Sequence, residues 1–268
     1  MPRLKARQDH LRISSFFAWL GYFFLVVPSL VVIPISFSTS SEIAVFPHRL
    51  SLHLYREFFH SSNWWPTTVQ SFRVATLATV LALIVATPAA YALVRYEVRG
   101  KRLIHLVFLS PLFTPVVVIG LGSYLYFAYL GIGGTTLVLV FAHAVMISPF
   151  VLIAIMAGLR HIDPTLETAA MLMGASRWMI FGRVVLPQIV PALAAGALLG
   201  FLVSFDEVVI AYFVTSPVSQ TLPVKMYSAI QWEISPVIAA VSTLLTASSL
   251  VISLAISLLQ KPAWKAND

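Results

Sequence analysis

Residues 103–159 contain no Asp, Glu, Lys or Arg. A membrane-spanning helix takes about 20 mostly apolar residues. This one run is therefore long enough for two spans, and "GIGG" at 131–134 is the natural turn between them. Further uncharged runs follow the same logic: 13–41, 74–94, 184–205 (resuming after two acids as far as Val224) and 234–260. The pattern predicts an all-α membrane protein with six transmembrane helices, about 13–36, 67–94, 104–130, 136–159, 188–214 and 235–260, in a single transmembrane domain over 1–268. Composition agrees: 10% of residues are charged, where a soluble domain has about a quarter. The alternating segments of ~10 residues that mark a membrane barrel are missing.

Six spans put both termini on one side. The ends on that side carry Arg3, Lys5, Arg7, Arg12, Arg95, Arg99, Lys101, Arg102, Arg160, Arg177, Arg183, Lys261 and Lys265; the other side has Arg49, Arg56, Arg73 and Lys225. The positive-inside rule then makes the termini and the 163–187 loop cytoplasmic. The net charge of +7 is thus topological and does not point to nucleic acid. The first span has the basic start and apolar centre of a signal peptide. Its apolar part is too long and "SFSTSSE" offers no small-residue cleavage site, so it is expected to stay as a span. Pro28, Pro34, Pro88, Pro111, Pro115 and Pro149 fall within spans, where each removes a backbone bond and favours a kink.

The chemistry is sparse. The chain has no cysteine, which excludes disulfides, thiolate metal sites and a cysteine nucleophile. His10, His48, His53, His60, His105, His143 and His161 are scattered without metal-ligand spacing. Gly100-Lys101-Arg102 lacks the upstream glycine and the Ser/Thr of a nucleotide-binding loop. Two features remain. The first is the loop "DPTLETAAMLMGASRWMIFGRVVLP" (163–187), which opens like a helix: Asp163 can cap and Pro164 loses no bond at the first position. Ala169, Ala170, Gly174 and Ala175 then give it a surface almost without bulk. The second is the pair Asp206 and Glu207 in an apolar segment, where each charge costs about 2.5–3.5 kcal/mol on insertion scales and faces a cavity or a partner.

The loop resembles the EAA loop of permease subunits in bacterial ABC importers: Glu-Ala-Ala, three residues, Gly, nine residues, Ile, one residue, Leu-Pro. Aligned on Gly174, the alanines are Ala169 and Ala170, Val184 takes the Ile place, and Leu186-Pro187 closes the motif. Thr168 stands where the motif has Glu, with Glu167 beside it, which turns the charge by ~100° on a helix. The resemblance covers nearly the whole chain and implies the type I importer permease fold, an N-terminal helix plus a five-helix core. It implies a coupling role for Glu167, Thr168, Ala169, Ala170, Gly174, Leu186 and Pro187, docked in a groove of a cytoplasmic ATPase. It further implies two ATPase subunits, which hold ATP and Mg while this chain binds no cofactor and is no enzyme. A second, related permease and an extracytoplasmic solute-binding protein are implied too, in the lipid bilayer of a bacterial inner membrane. The segment 38–66 resembles the region where such permeases meet the binding protein.

"SFDEVVIAYFVTSP" followed by "TLPVKMYSAIQWEISPVIAAVSTLL" is similar to the second-permease branch of spermidine/putrescine importers, with Glu207 in the place of a second Asp. The resemblance implies a pathway for a small cation, most simply a polyamine, along Ser204, Phe205, Asp206, Glu207, Tyr124 and Tyr227, with Asp206 as the foremost contact. Trp64, Trp65 and Trp232 are further aromatics near the mouth, and such rings can hold an ammonium by cation–π contact. Relatives of this branch also serve amino-acid-like and other zwitterionic solutes. The rival from another class is a stand-alone proton-coupled transporter with Asp206 or Glu207 as the relay. Against it stand the missing inverted repeat and the EAA-like loop.

Overall fold

The computed structural model describes residues 15, 18–24, 26–27, 30–39, 49–61, 63–233 and 235–259. The expected first helix, 13–36, lies partly outside these residues, as do the basic ends Arg3–Arg12 and Lys261–Lys265 and part of the 38–66 loop. Residues 18–24 and 30–35 are helical. Then come α1 (His53–His60), α2 (Trp64–Arg95), α3 (Lys101–Phe113), α4 (Val116–Tyr129), α5 (Thr136–Arg160), α6 (Pro164–Leu172), α7 (Arg177–Ile180), α8 (Leu186–Phe205), α9 (Val209–Val214), α10 (Leu222–Ser228) and α11 (Val237–Leu259). There is no strand among the described residues. The chain divides into two compact units, one of Pro66–Ser228 and one of Met1–Trp65 with Ala229–Asp268.

The first unit is built on small residues. Ala78, Ala82, Ala86 and Ala90 recur every fourth position on α2 and are all buried. On α8, Gly196, Gly200 and Ser204 make the same stripe, also buried. Small side chains at this spacing let helix backbones approach closely, as packing in a membrane demands. A Cβ on Gly200 would stand 3.2 Å from Val151 Cγ2 on α5. Ile147, Leu152, Ile155 and Leu159 of α5 add large buried side chains, and α5 packs along α8.

Among the described residues, three helices are long and apolar enough to cross a membrane: Trp64–Arg95, Thr136–Arg160 and Arg177–Phe205. The expected single helix 104–130 is instead two, α3 and α4, bent by 107°. The break falls at Thr114–Pro115. Pro115 has no N–H to continue the ladder, and the residue before a proline is pushed to extended backbone; Thr114 takes φ −91, ψ 129. The expected helix 188–214 differs at both ends. It begins eleven residues earlier, at Arg177, through a π-helical turn over Phe181–Val185. Pro187 cannot donate, and the upstream i→i+5 turn, closed by Leu186 N–H to Phe181 O, lets the helix run on into it. It stops at Phe205 and restarts at Val209.

In the second unit the Tyr55 hydroxyl lies 2.6 Å from Ser36 Oγ, and Phe37 packs on the Tyr55 ring at 5.5 Å. Leu54 and Phe58, one turn apart, form the buried face of α1.

Candidate functional site

The segment after α5 is a helical hairpin. Asp163 accepts the Thr165 N–H at 2.9 Å and so caps α6, which holds its carboxyl below the usual carboxylate value. Two residues after the end of α6 the chain reverses at Gly174, whose φ of +85 is a left-handed conformation that costs a side-chain-bearing residue about 1 kcal/mol or more. The Gly174 and Ala175 amides bond back to Met171 O and Ala170 O, closing the end of α6. Ser176 then caps α7 through Met179 N–H.

Glu167 points inward. Its Oε1 lies 2.6 Å from Arg95 Nε at the end of α2, and Oε2 accepts the Tyr91 hydroxyl at 2.7 Å. The Arg95 guanidinium also donates to Ile162 O at 3.0 Å. The Tyr91 ring packs on Phe181 at 5.1 Å, so α2, α6 and the π turn are joined. Thr168, in the motif's Glu place, is exposed and its hydroxyl donates to Pro164 O at 3.3 Å. Ala169 is exposed and Ala170 buried. Beyond them Leu172, Met173 and Trp178 are 85%, 81% and 84% exposed, an apolar tip on a turn that otherwise follows polar rules. Leu186 and Pro187 lie apart from this tip, in the long helix just after the π turn.

The two acids at the end of α8 have opposite surroundings. Glu207 is 8% exposed. Its carboxylate accepts Ile210 N–H and Ala211 N–H, both at 2.9 Å. These are orphan amides at the start of α9, so Glu207 both ends one helix and starts the next. Its Oε2 is 3.7 Å from Nε2 of His143 on α5, whose other ring nitrogen is 2.9 Å from Ser204 Oγ. The glycine stripe of α8 brings Ser204 to this histidine. Asp206 is exposed, and its carboxylate has no hydrogen bond or ion pair among the described residues. Phe205 beside it stacks on Phe201 at 5.8 Å and 19° and meets Phe72 of α2 at 5.0 Å.

Of the predicted pathway residues, Asp206 and Phe205 share one exposed helix end, whereas Ser204 and Glu207 are inside. Tyr227 meets Tyr212 edge-on at 5.6 Å. Tyr124 is exposed on α4 without a ring partner among the described residues. Trp64 is buried, and Trp65 and Trp232 are exposed. Sequence reasoning missed His143, Tyr91, Arg95, Phe72 and Phe201. A histidine in the middle of the uncharged 103–159 run was the one available signal. No group of three metal-binding side chains occurs among the described residues.

Residues 78–261 match the family described as "Binding-protein-dependent transport system inner membrane component". The chain is 30% identical over 246 residues to the spermidine/putrescine transport system permease protein PotC of Escherichia coli K12, covering 92% of this chain and 93% of that one. It is 34% identical over 233 residues to the putrescine transport system permease protein PotI of the same organism, covering 84% and 83%. The putative 2-aminoethylphosphonate transport system permease protein PhnV of Salmonella paratyphi A is 29% identical over 212 residues, 78% of each. Among solved structures, a chain of a bacterial ABC transporter involved in the import of the acidic polysaccharide alginate superposes with TM-score 0.75 at 17% identity, covering 96% and 98%.

Proposed function

The chain belongs to the binding-protein-dependent transport system inner membrane component family and is an ABC importer permease, and from that premise we propose that it conducts a polyamine such as spermidine or putrescine. The observation that carries the substrate reading is Asp206: an exposed carboxylate, unpaired among the described residues, beside the Phe205–Phe201–Phe72 cluster. A carboxylate with aromatic faces next to it suits an alkylammonium, by charge and by cation–π attraction. Glu207, spent on α9 and facing His143, is a structural group and not a substrate contact.

In this reading the chain has six spans of the type I fold, α3 and α4 together forming one, with both termini cytoplasmic in a bacterial inner membrane. It pairs with a second, related permease and with two ATPases that hold ATP and Mg. A solute-binding protein delivers the substrate from outside. The Glu167–Gly174 helix and its apolar tip dock in the ATPases and couple their closure to the pathway. The half-buried Glu167 supports a changed division of labour: the carboxylate fixes the helix to α2, and the exposed tip makes the contact. The likeness to PhnV favours one second reading, a zwitterionic aminophosphonate carried by the same machinery.

Two experiments test this. A mild-detergent pull-down of the tagged chain from its native membrane, followed by mass spectrometry, is expected to recover an ATPase and a second permease. Uptake of radiolabelled putrescine and spermidine is expected to fall at least tenfold in Asp206→Asn while the recovered complex is unchanged. Full polyamine uptake by that variant removes Asp206 from the pathway.

A further inference from the structure

α2 ends at Arg95, α3 begins at Lys101 and α5 ends at Arg160. Between these three helix ends lies a cavity of about 410 Å³. Leu93, Val94 and Met156 form an apolar floor, and Lys101, Arg102, His105 and Arg160 form a basic rim. Lys101 is partly neutralised: its ammonium is 3.6 Å from the exposed Glu97 carboxylate and 3.4 Å from Tyr96 O. The side chains of Arg102, His105 and Arg160 have no hydrogen bond or ion pair among the described residues. The Lys101 amide donates to Val98 O, and no side chain caps the amides that follow it at the start of α3, so these add partial positive charge at the same rim. A pocket with this much unanswered positive charge is built for an anion.

Its position selects the anion. α2 and α5 are each long and apolar enough to cross a membrane, so a pocket at their paired ends lies at the boundary between hydrocarbon and water. Below the rim, Leu103, Leu106 and Val107 share one face of α3 and are 60–66% exposed. A free phosphate has no use for such a face or for the apolar floor; a lipid uses both. We propose that this pocket holds the phosphate of an anionic phospholipid headgroup, with the acyl chains laid along that face of α3. Arg102 and Arg160 are the paired cations that grip it. Its lining includes no residue of the Asp206 region or of the Gly174 hairpin. It requires only that α2 and α5 span the bilayer, so it stands or falls independently of the polyamine reading.

The test is native mass spectrometry of the purified full chain with its accompanying subunits. It is delipidated and titrated with dioleoyl phosphatidylglycerol or with dioleoyl phosphatidylcholine. The phosphatidylglycerol adduct is expected to dominate. Arg102→Gln and Arg160→Gln should each lower that preference about fivefold, the size expected of one basic residue at an anionic surface. Arg99→Gln removes the same charge from outside the pocket and should leave the preference intact, which separates the site from a general charge effect. Equal adducts from both lipids overturn the proposal, as does an equal loss in all three variants. Displacement of phosphatidylglycerol by millimolar inorganic phosphate makes this a free-phosphate site and overturns the lipid assignment.

Discussion

One residue of offset separates Glu167 from the motif's glutamate, and the structure gives that offset a use. At 13% side-chain exposure, with Arg95 at 11%, the carboxylate is far enough from water that losing its charge matters. Glu167→Gln leaves Arg95 without its anion and is expected to cost about 1–3 kcal/mol, read as a lower unfolding midpoint of the purified protein. Thr168→Glu restores the motif on an exposed position and is expected to leave that midpoint unchanged. The two acids after α8 divide in the same way. Glu207→Ala strips the cap from α9 and leaves His143 beside an empty place, so assembly itself is expected to fall, measured as the yield of folded complex. Asp206→Asn touches nothing inside and is expected to affect transport alone. The offset of Glu167 and the singling out of Asp206 were legible in the sequence, but the partners were not: Tyr91 is 76 positions from Glu167 and Ser204 is 61 from His143.

At the scale of elements, the helical runs were legible because charge is excluded from them, as at 74–94 and 136–159. Breaks were not. Pro88 and Pro149 sit inside continuous helices, while Pro115 starts a new one at 107°. The same residue type thus gives opposite outcomes, decided by neighbours that no local pattern encodes. The π turn at Phe181–Val185 was hidden for a related reason: Leu186-Pro187 reads as a helix start and is in fact a passage through one. The Gly174 turn was legible as a small residue but not as a left-handed one. Among the described residues, no atom beyond its two chain neighbours lies within 4 Å of a Cβ built there. Gly174→Ala is therefore expected to act through backbone strain alone, costing about 1 kcal/mol, while Gly174→Asn, which tolerates that region better, costs less; thermal unfolding of the two variants checks the order.

For the whole molecule, the distribution of basic residues predicts the sidedness of the helices. The chain contains no cysteine, so single cysteines can be read without background. A membrane-impermeant maleimide is expected to label Ser61→Cys in intact cells and Met173→Cys only after permeabilisation. The reverse pattern would invert the topology and move the apolar tip away from any cytoplasmic ATPase.

The grip on α6 has a mechanical meaning. The helix is joined by chain to α5 before it and to the long α8 after it, and the ion pair of Glu167 with Arg95 ties it sideways to α2. α6 is thus held to three long helices at once, by chain to two of them and by a half-buried ion pair to the third. In the coupling role proposed above, a push on its tip would be shared among α2, α5 and α8 and not taken by the hairpin alone.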